Sequence, residues 1–139
     1  MTLWKALMAG QRNVRQRLKR GELVTVRIDK DKSRPSVVVQ SDLFKTPRSV
    51  TVIPITTTIT SLPIRVCVQP SKRNGLRETS EIMVDKITTL EYEKIGDSCG
   101  HIEEDVLLKV DEKLTEFLGL RRSFSLHSLQ IFFKKLFQR

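Results

Sequence analysis

Three runs rich in β-branched residues, ELVTVRI (22–28), SVVVQ (36–40) and VTVIPI (50–55), dominate the first half of this chain and restrict its fold more than any other feature. Each is short and bounded by charged or turn-forming residues, and valine and isoleucine suit a pleated surface, so each reads as a strand. The first run carries apolar residues on both parities, Leu23 on one and Val24, Val26 and Ile28 on the other, which predicts a strand buried on both faces. Strands of that kind need cover above and below, and 139 residues are enough for one domain that supplies it.

Further along the chain the pattern stays short and mostly extended. Asp29 to Ser33 reads as a charged loop, and SDLFKTPRS (41–49) as a turn-rich connector with one helical turn. Pro54 implies that the third strand lies at an edge or a bulge. LPIRVCVQP (62–70) alternates Ile64, Val66 and Val68 with Arg65, Cys67 and Gln69, a half-exposed strand, and Asn74-Gly75 marks a tight turn. EIMVDKI (81–87) reads as another strand, and KIGDSCGHI (94–102) as a loop with a short final strand at most. From Glu103 the period changes: Val106, Leu107, Val110, Leu114, Phe117 and Leu118 recur at helical spacing, Gly119 provides a stop, and Glu103, Glu104 and Asp105 suit the positive end of the helix dipole. The sum is a mainly β fold with α elements, a small twisted barrel with helical cover.

Charge divides the chain differently. The net charge is +9, yet residues 20–119 hold all 16 acidic side chains and are close to neutral, so the basic excess lies in residues 1–19 and 120–139. An anion site in the globular part must therefore be local rather than a property of the whole surface. We divide the chain into a basic N-terminal extension (1–18), a central domain (19–120) and a basic tail (121–139). Leu126, Leu129, Phe132, Phe133, Leu136 and Phe137 give the tail an amphipathic helical stripe, which suits docking on the core or on a partner subunit better than a membrane; Leu3, Trp4, Leu7, Met8, Val14 and Leu18 form a weaker one. Cys67 and Cys99, 32 positions apart with no CxxC and no nearby histidine pair, suggest neither a disulfide framework nor a zinc site and point to a reduced, cytoplasmic setting. No stretch approaches the roughly 20 apolar residues of a membrane span.

Arg34-Pro35 stands at the mouth of the second strand, and the third ends in Thr56-Thr57-Thr58. A guanidinium forks onto phosphate oxygens and a threonine hydroxyl can donate beside it, so this pairing is the candidate phosphodiester site. Read in order, KRGELV (19–24), SRPSVVVQSDLF (33–44), VTVIPITTT (50–58), VQPSKRNGLRETSEIMVDKI (68–87) and LLKVDEKLTEFLGL (107–120) resemble the MazF/PemK family of toxin endoribonucleases, the mRNA interferases. The resemblance implies an SH3-like (CcdB/MazF-like) barrel with a C-terminal helix, a homodimer, cleavage of single-stranded RNA with no metal and no cofactor, and silencing by a cognate antitoxin through which DNA is met only indirectly.

It also implies roles for residues. Arg34 falls on the catalytic arginine, where its high pKa favours charge stabilisation over acid catalysis, and Thr56 on the threonine that holds a phosphate oxygen. Asp85 falls where some members place an acidic residue that contacts substrate or assists proton transfer, with a pairing to Lys86 or a nearby arginine as the equal alternative. Ser80, Thr57 and Lys86 are lesser substrate-contact candidates, and Thr58 and Thr60 read as edge residues. The general base is open among Asp29, Asp31 and Glu22, because DKDKS (29–33) is short and lacks the glutamate or histidine of many relatives, and Met83 replaces an arginine of one branch. His101 and His127 read as structural. Two other functions fit the same barrel: a non-enzymatic CcdB-like gyrase inhibitor, and an inactive antitoxin-binding module.

Overall fold

The computed structural model describes residues 18–30, 32–120 and 126–138. Strands β1 (Glu22–Asp29) and β2 (Lys32–Val38) pair antiparallel as far as Asp29 opposite Lys32. The loop expected over 29–33 is therefore largely strand, and Arg34 lies inside β2, opposite Val26, rather than ahead of it. Strand β3 (Ser49–Thr56) is the hub, with β2 on one side and, on the other, β6 (Thr88–Glu91) along its first half and β5 (Ser80–Ile82) at its end. The long path runs β4 (Val66–Val68), β5, β3, β2, β1, β7 (Ile95–His101).

Pro54 is neither at an edge nor at a bulge. Its carbonyl accepts the Met83 N–H at 3.0 Å, on the side facing away from β2, so the missing N–H falls in the gap where β3 passes from β6 to β5. Three other expectations change in detail. The 62–70 strand contracts to Val66–Val68, with a turn closed by the Arg65 N–H on the Leu62 carbonyl at 2.9 Å. The 81–87 strand breaks after Ile82 into a 3-10 turn over Val84–Lys86 and resumes as β6. Residues 41–48 turn without forming a helix. The largest difference is β7, a full seven-residue strand against β1 where the sequence predicts a loop with a short final strand at most.

Alternation along β1, β2 and β3 sends side chains into two apolar layers. One contains Leu23, Val37, Ile53, Ile55, Ile82 and Val84; the other contains Val24, Val26, Val38, Val50, Val52 and Tyr92. Burial on both faces is what the valine-rich runs require, and each fully buried valine contributes about 1.5–2 kcal/mol; Ile28, beyond both layers, is exposed. Helix α1 (Glu104–Phe117) covers the first layer with Val106, Leu107, Val110 and Leu114 and ends before Gly119, whose φ of 66° only glycine adopts freely. The tail forms helix α2 (Leu126–Phe137), on which Phe133 and Phe137 stack. The N-terminal stripe lies outside the described residues except for Leu18, which is buried in the second layer. No described helix is long and apolar enough to cross a membrane.

Candidate active site

The β2–β3 register places Ser36 opposite Pro54 and Val38 opposite Val52. Carried two residues further, the same antiparallel register sets Arg34 against Thr56, so two residues 22 positions apart meet because the strands run in opposite directions. Between them opens a cleft of about 270 Å³ lined by Arg34, Pro35, Ile55, Thr56, Thr57, Thr58 and Ser80. No lining residue is acidic, and the exposed Arg34 has no ion pair among the described residues.

The hydroxyls differ in what they can do. Thr56 Oγ1 accepts the Thr58 N–H at 3.1 Å, which fixes the oxygen and leaves its proton free to donate into the cleft. Thr57 and Thr58 are exposed at the rim, so Thr58 is part of the wall rather than an edge residue. Ser80 is buried and its Oγ donates to the Glu78 carbonyl at 2.9 Å, which commits its proton and leaves an oxygen on the wall.

Asp85 and Lys86 do not line this cleft. Both sit in the 3-10 turn after β5, where Arg65 forks onto Asp85 with Nε to Oδ1 at 3.0 Å and Nη2 to Oδ2 at 3.2 Å. That fork holds the Asp85 carboxyl below its ordinary range, burial opposing, and raises Arg65 in turn. Lys86 is exposed. Of the candidate bases, Glu22, the first residue of β1, is buried and accepts the Lys19 N–H at 2.9 Å. It is four residues along β1 from the partner of Arg34, about 13 Å at ~3.3 Å per residue, and so lies away from the cleft. The Asp29 side chain and residue 31 lie outside the described residues, as does the His127 side chain; His101 is exposed at the end of β7.

Glu81 has no counterpart among the sequence candidates. Only 3% exposed, it pairs across the ladder with Thr56 and takes the Thr60 N–H at 3.0 Å, the Ser61 N–H at 2.7 Å and the Thr60 hydroxyl at 2.9 Å. Burial pushes its pKa up, but these hydrogen bonds and Arg65 prevail and the carboxyl is held below its ordinary range. Alternating polarity around VTVIPI and EIMVDKI gives no sign of this, because the carboxylate is satisfied by a loop from another part of the chain. Among the described residues no group of three His, Cys, Asp or Glu side chains is placed to hold a metal ion, and both cysteines are free and exposed.

A small curled antiparallel sheet under a helix, with an arginine and three threonine hydroxyls lining one cleft, defines a small barrel protein whose cleft is lined by hydrogen-bond donors and no acid. The chain belongs to the PemK-like, MazF-like toxins of type II toxin-antitoxin systems, whose family model matches residues 19–118. It is 36% identical over 90 residues to the probable endoribonuclease MazF of Mycolicibacterium smegmatis, covering 64% of this chain and 83% of that one. With endoribonuclease EndoA of Bacillus subtilis it shares 30% over 90 residues, 63% of this chain and 77% of the relative. Among solved structures, Mycobacterium tuberculosis toxin MazF-mt6 matches with a TM-score of 0.64 at 24% identity, over 73% of this chain and 99% of that chain. A mycobacterial endoribonuclease in complex with its cognate antitoxin matches with a TM-score of 0.67 at 24% identity, over 76% and 98%. These likenesses show that the mainly antiparallel barrel with its C-terminal helix is the fold of MazF toxins.

Proposed function

We propose that this protein is the toxin of a toxin-antitoxin pair and cleaves single-stranded RNA in the Arg34–Thr56 cleft. The observation that carries the reading is the unpaired Arg34 guanidinium facing the Thr56 hydroxyl across a cleft with no acidic lining. Both curated relatives bear the endoribonuclease name, which supports this reading over a non-enzymatic inhibitor.

In the reaction the RNA 2′-hydroxyl loses its proton and attacks the adjacent phosphorus, the P–O5′ bond breaks, and the departing 5′-oxygen takes up a proton, giving a 2′,3′-cyclic phosphate and a 5′-hydroxyl. Negative charge grows on the non-bridging oxygens of the phosphorane, and Arg34 supplies a fixed positive fork there. Thr56 donates its free proton to one of these oxygens and so orients the phosphate, with Thr57 and Ser80 as neighbouring contacts. No lining side chain is a base, so the proton acceptor comes from outside this set, from solvent or a carboxylate. Asp85, held by both oxygens, acts through position rather than proton transfer, and Lys86 offers a cation for phosphate beyond the cleft. The reading includes a homodimer in the cytoplasm, silenced by a cognate antitoxin that alone meets DNA.

Arg34→Ala tests it. The variant should keep its far-UV circular dichroism and lose about 10²–10³-fold in cleavage rate on an RNA oligonucleotide, the wild type remaining active in EDTA. Full activity in the variant would overturn the assignment.

A further inference from the structure

The wall that faces Arg34 is not self-supporting. Thr56 is the last residue of β3, and after it the chain leaves the sheet, turns at Thr58 and is tied back mainly by one buried side chain. Glu81, directly opposite Thr56 on β5, takes the amides of Thr60 and Ser61 on Oε1 and the Thr60 hydroxyl on Oε2. Ser61 is held at φ 56°, a left-handed conformation that costs a residue bearing a Cβ, and the hydrogen bond of its N–H to Glu81 offsets that cost. A second cation secures the anchor from behind. Arg65, 11% exposed at its side chain, reaches Glu81 Oε2 at 3.7 Å while forking onto Asp85, and Nη1 also lies 3.5 Å from the Thr60 hydroxyl. The chain of contacts runs from Asp85 through Arg65 and Glu81 to the loop that continues Thr56.

We infer that Glu81, braced by Arg65 and Asp85, is a positioning residue for RNA cleavage: it pins the 57–61 loop and thereby sets the Thr56 hydroxyl against Arg34. The inference rests on the ribonuclease reading for its consequence, but the anchoring itself is independent of it. None of the three side chains lines the cleft, so none contacts a phosphate held there. Their removal shifts the wall and leaves the guanidinium in place. Misplacement of a catalytic group by about 1 Å costs up to ~10²-fold in rate, whereas electrostatic attraction between Arg34 and a phosphate tolerates such a shift.

The test compares wild type, Glu81→Ala, Glu81→Gln and Thr60→Val by amide hydrogen exchange, by kcat and KM on an RNA oligonucleotide, and by binding of the same oligonucleotide with a 2′-deoxy scissile nucleotide. Glu81→Ala should speed exchange at Thr58, Thr60 and Ser61 and lower kcat about 10- to 100-fold with KM and 2′-deoxy binding nearly unchanged. Glu81→Gln keeps an acceptor for both amides and should recover most of the loss. Thr60→Val, a smaller change that removes one hydroxyl, should fall between and serves if Glu81→Ala does not fold. Unchanged loop exchange in the folded Glu81 and Thr60 variants, or a loosened loop with unchanged kcat, overturns the inference. A wild type that cleaves no RNA overturns the ribonuclease reading instead, and the exchange data then decide whether Glu81 anchors the loop.

Discussion

Ser36 follows the arginine–proline pair on β2, is fully buried between Val24 and Pro54 on the neighbouring strands, and its hydroxyl has no hydrogen-bond partner among the described residues. A buried hydroxyl without a partner forfeits its hydration for nothing, so Ser36→Ala should stabilise the fold by about 1 kcal/mol and raise Tm by about 3–5 °C. Because the hydroxyl lies in the packed layer and not on the cleft wall, cleavage should be unchanged. A thermal melt beside a rate measurement decides it, and a lower Tm would mean that the oxygen is serving the fold. Arg34 and Thr56 stand out in the sequence as a pair within a motif, a guanidinium opening one valine-rich strand and a hydroxyl ending the next, and the strand register brings both to one cleft. Glu81 does not stand out, since a buried carboxylate shows its worth only when the loop that satisfies it is in place.

Among elements, legibility followed side-chain chemistry. β1, β2 and β3 announce themselves through β-branched residues that must be covered on both faces. β7 is invisible by the same measure, because glycine, aspartate and serine are poor strand formers and its place is imposed from outside. Gly96 runs so close to the Thr25 hydroxyl, and Gly100 to the Arg73 carbonyl, that a Cβ at either would collide, and the ladder to β1 is broken by two register shifts. The run 81–87 has the look of one strand but breaks after Ile82, because Ile82, Val84 and Ile87 are apolar for tertiary reasons that periodicity does not resolve. Asn74 shows the same at a turn. Expected only as half of a tight turn, it is fully buried, accepts the Ser71 and Leu76 N–H groups at 3.0 and 2.9 Å, and donates to the Gln69 carbonyl at 2.8 Å and to Glu103 at the start of α1. Asn74→Ala would strand those groups, so urea unfolding should show a loss of about 2–3 kcal/mol. A change under about 0.5 kcal/mol, the range of ordinary surface substitutions, would show that the loop holds α1 without it.

At the scale of the molecule, the carboxylates that join its parts are the groups most sensitive to acid. Asp85 is held below its ordinary range by the Arg65 fork; Glu81 and Glu103 are held there by hydrogen bonds that outweigh burial, from Ser61 and Thr60 for the first and from Ser71 and Asn74 for the second. Each therefore releases its proton more readily folded than unfolded. Their contribution is complete above the unfolded values of about pH 4 and is lost as pH falls through the lower folded values, because the unfolded chain then binds more protons. Protonation also leaves 25 lysines and arginines unopposed, and their mutual repulsion acts in the same direction. Tm should thus hold down to about pH 5 and fall steadily toward pH 3. The pair Glu81→Gln with Asp85→Asn should start from a lower Tm at pH 7 and lose less of it on acidification, since the groups that titrate are gone. A wild-type Tm that rises between pH 5 and 3, or a double variant with the same slope, would show that the network behind the cleft does not govern the acid limit.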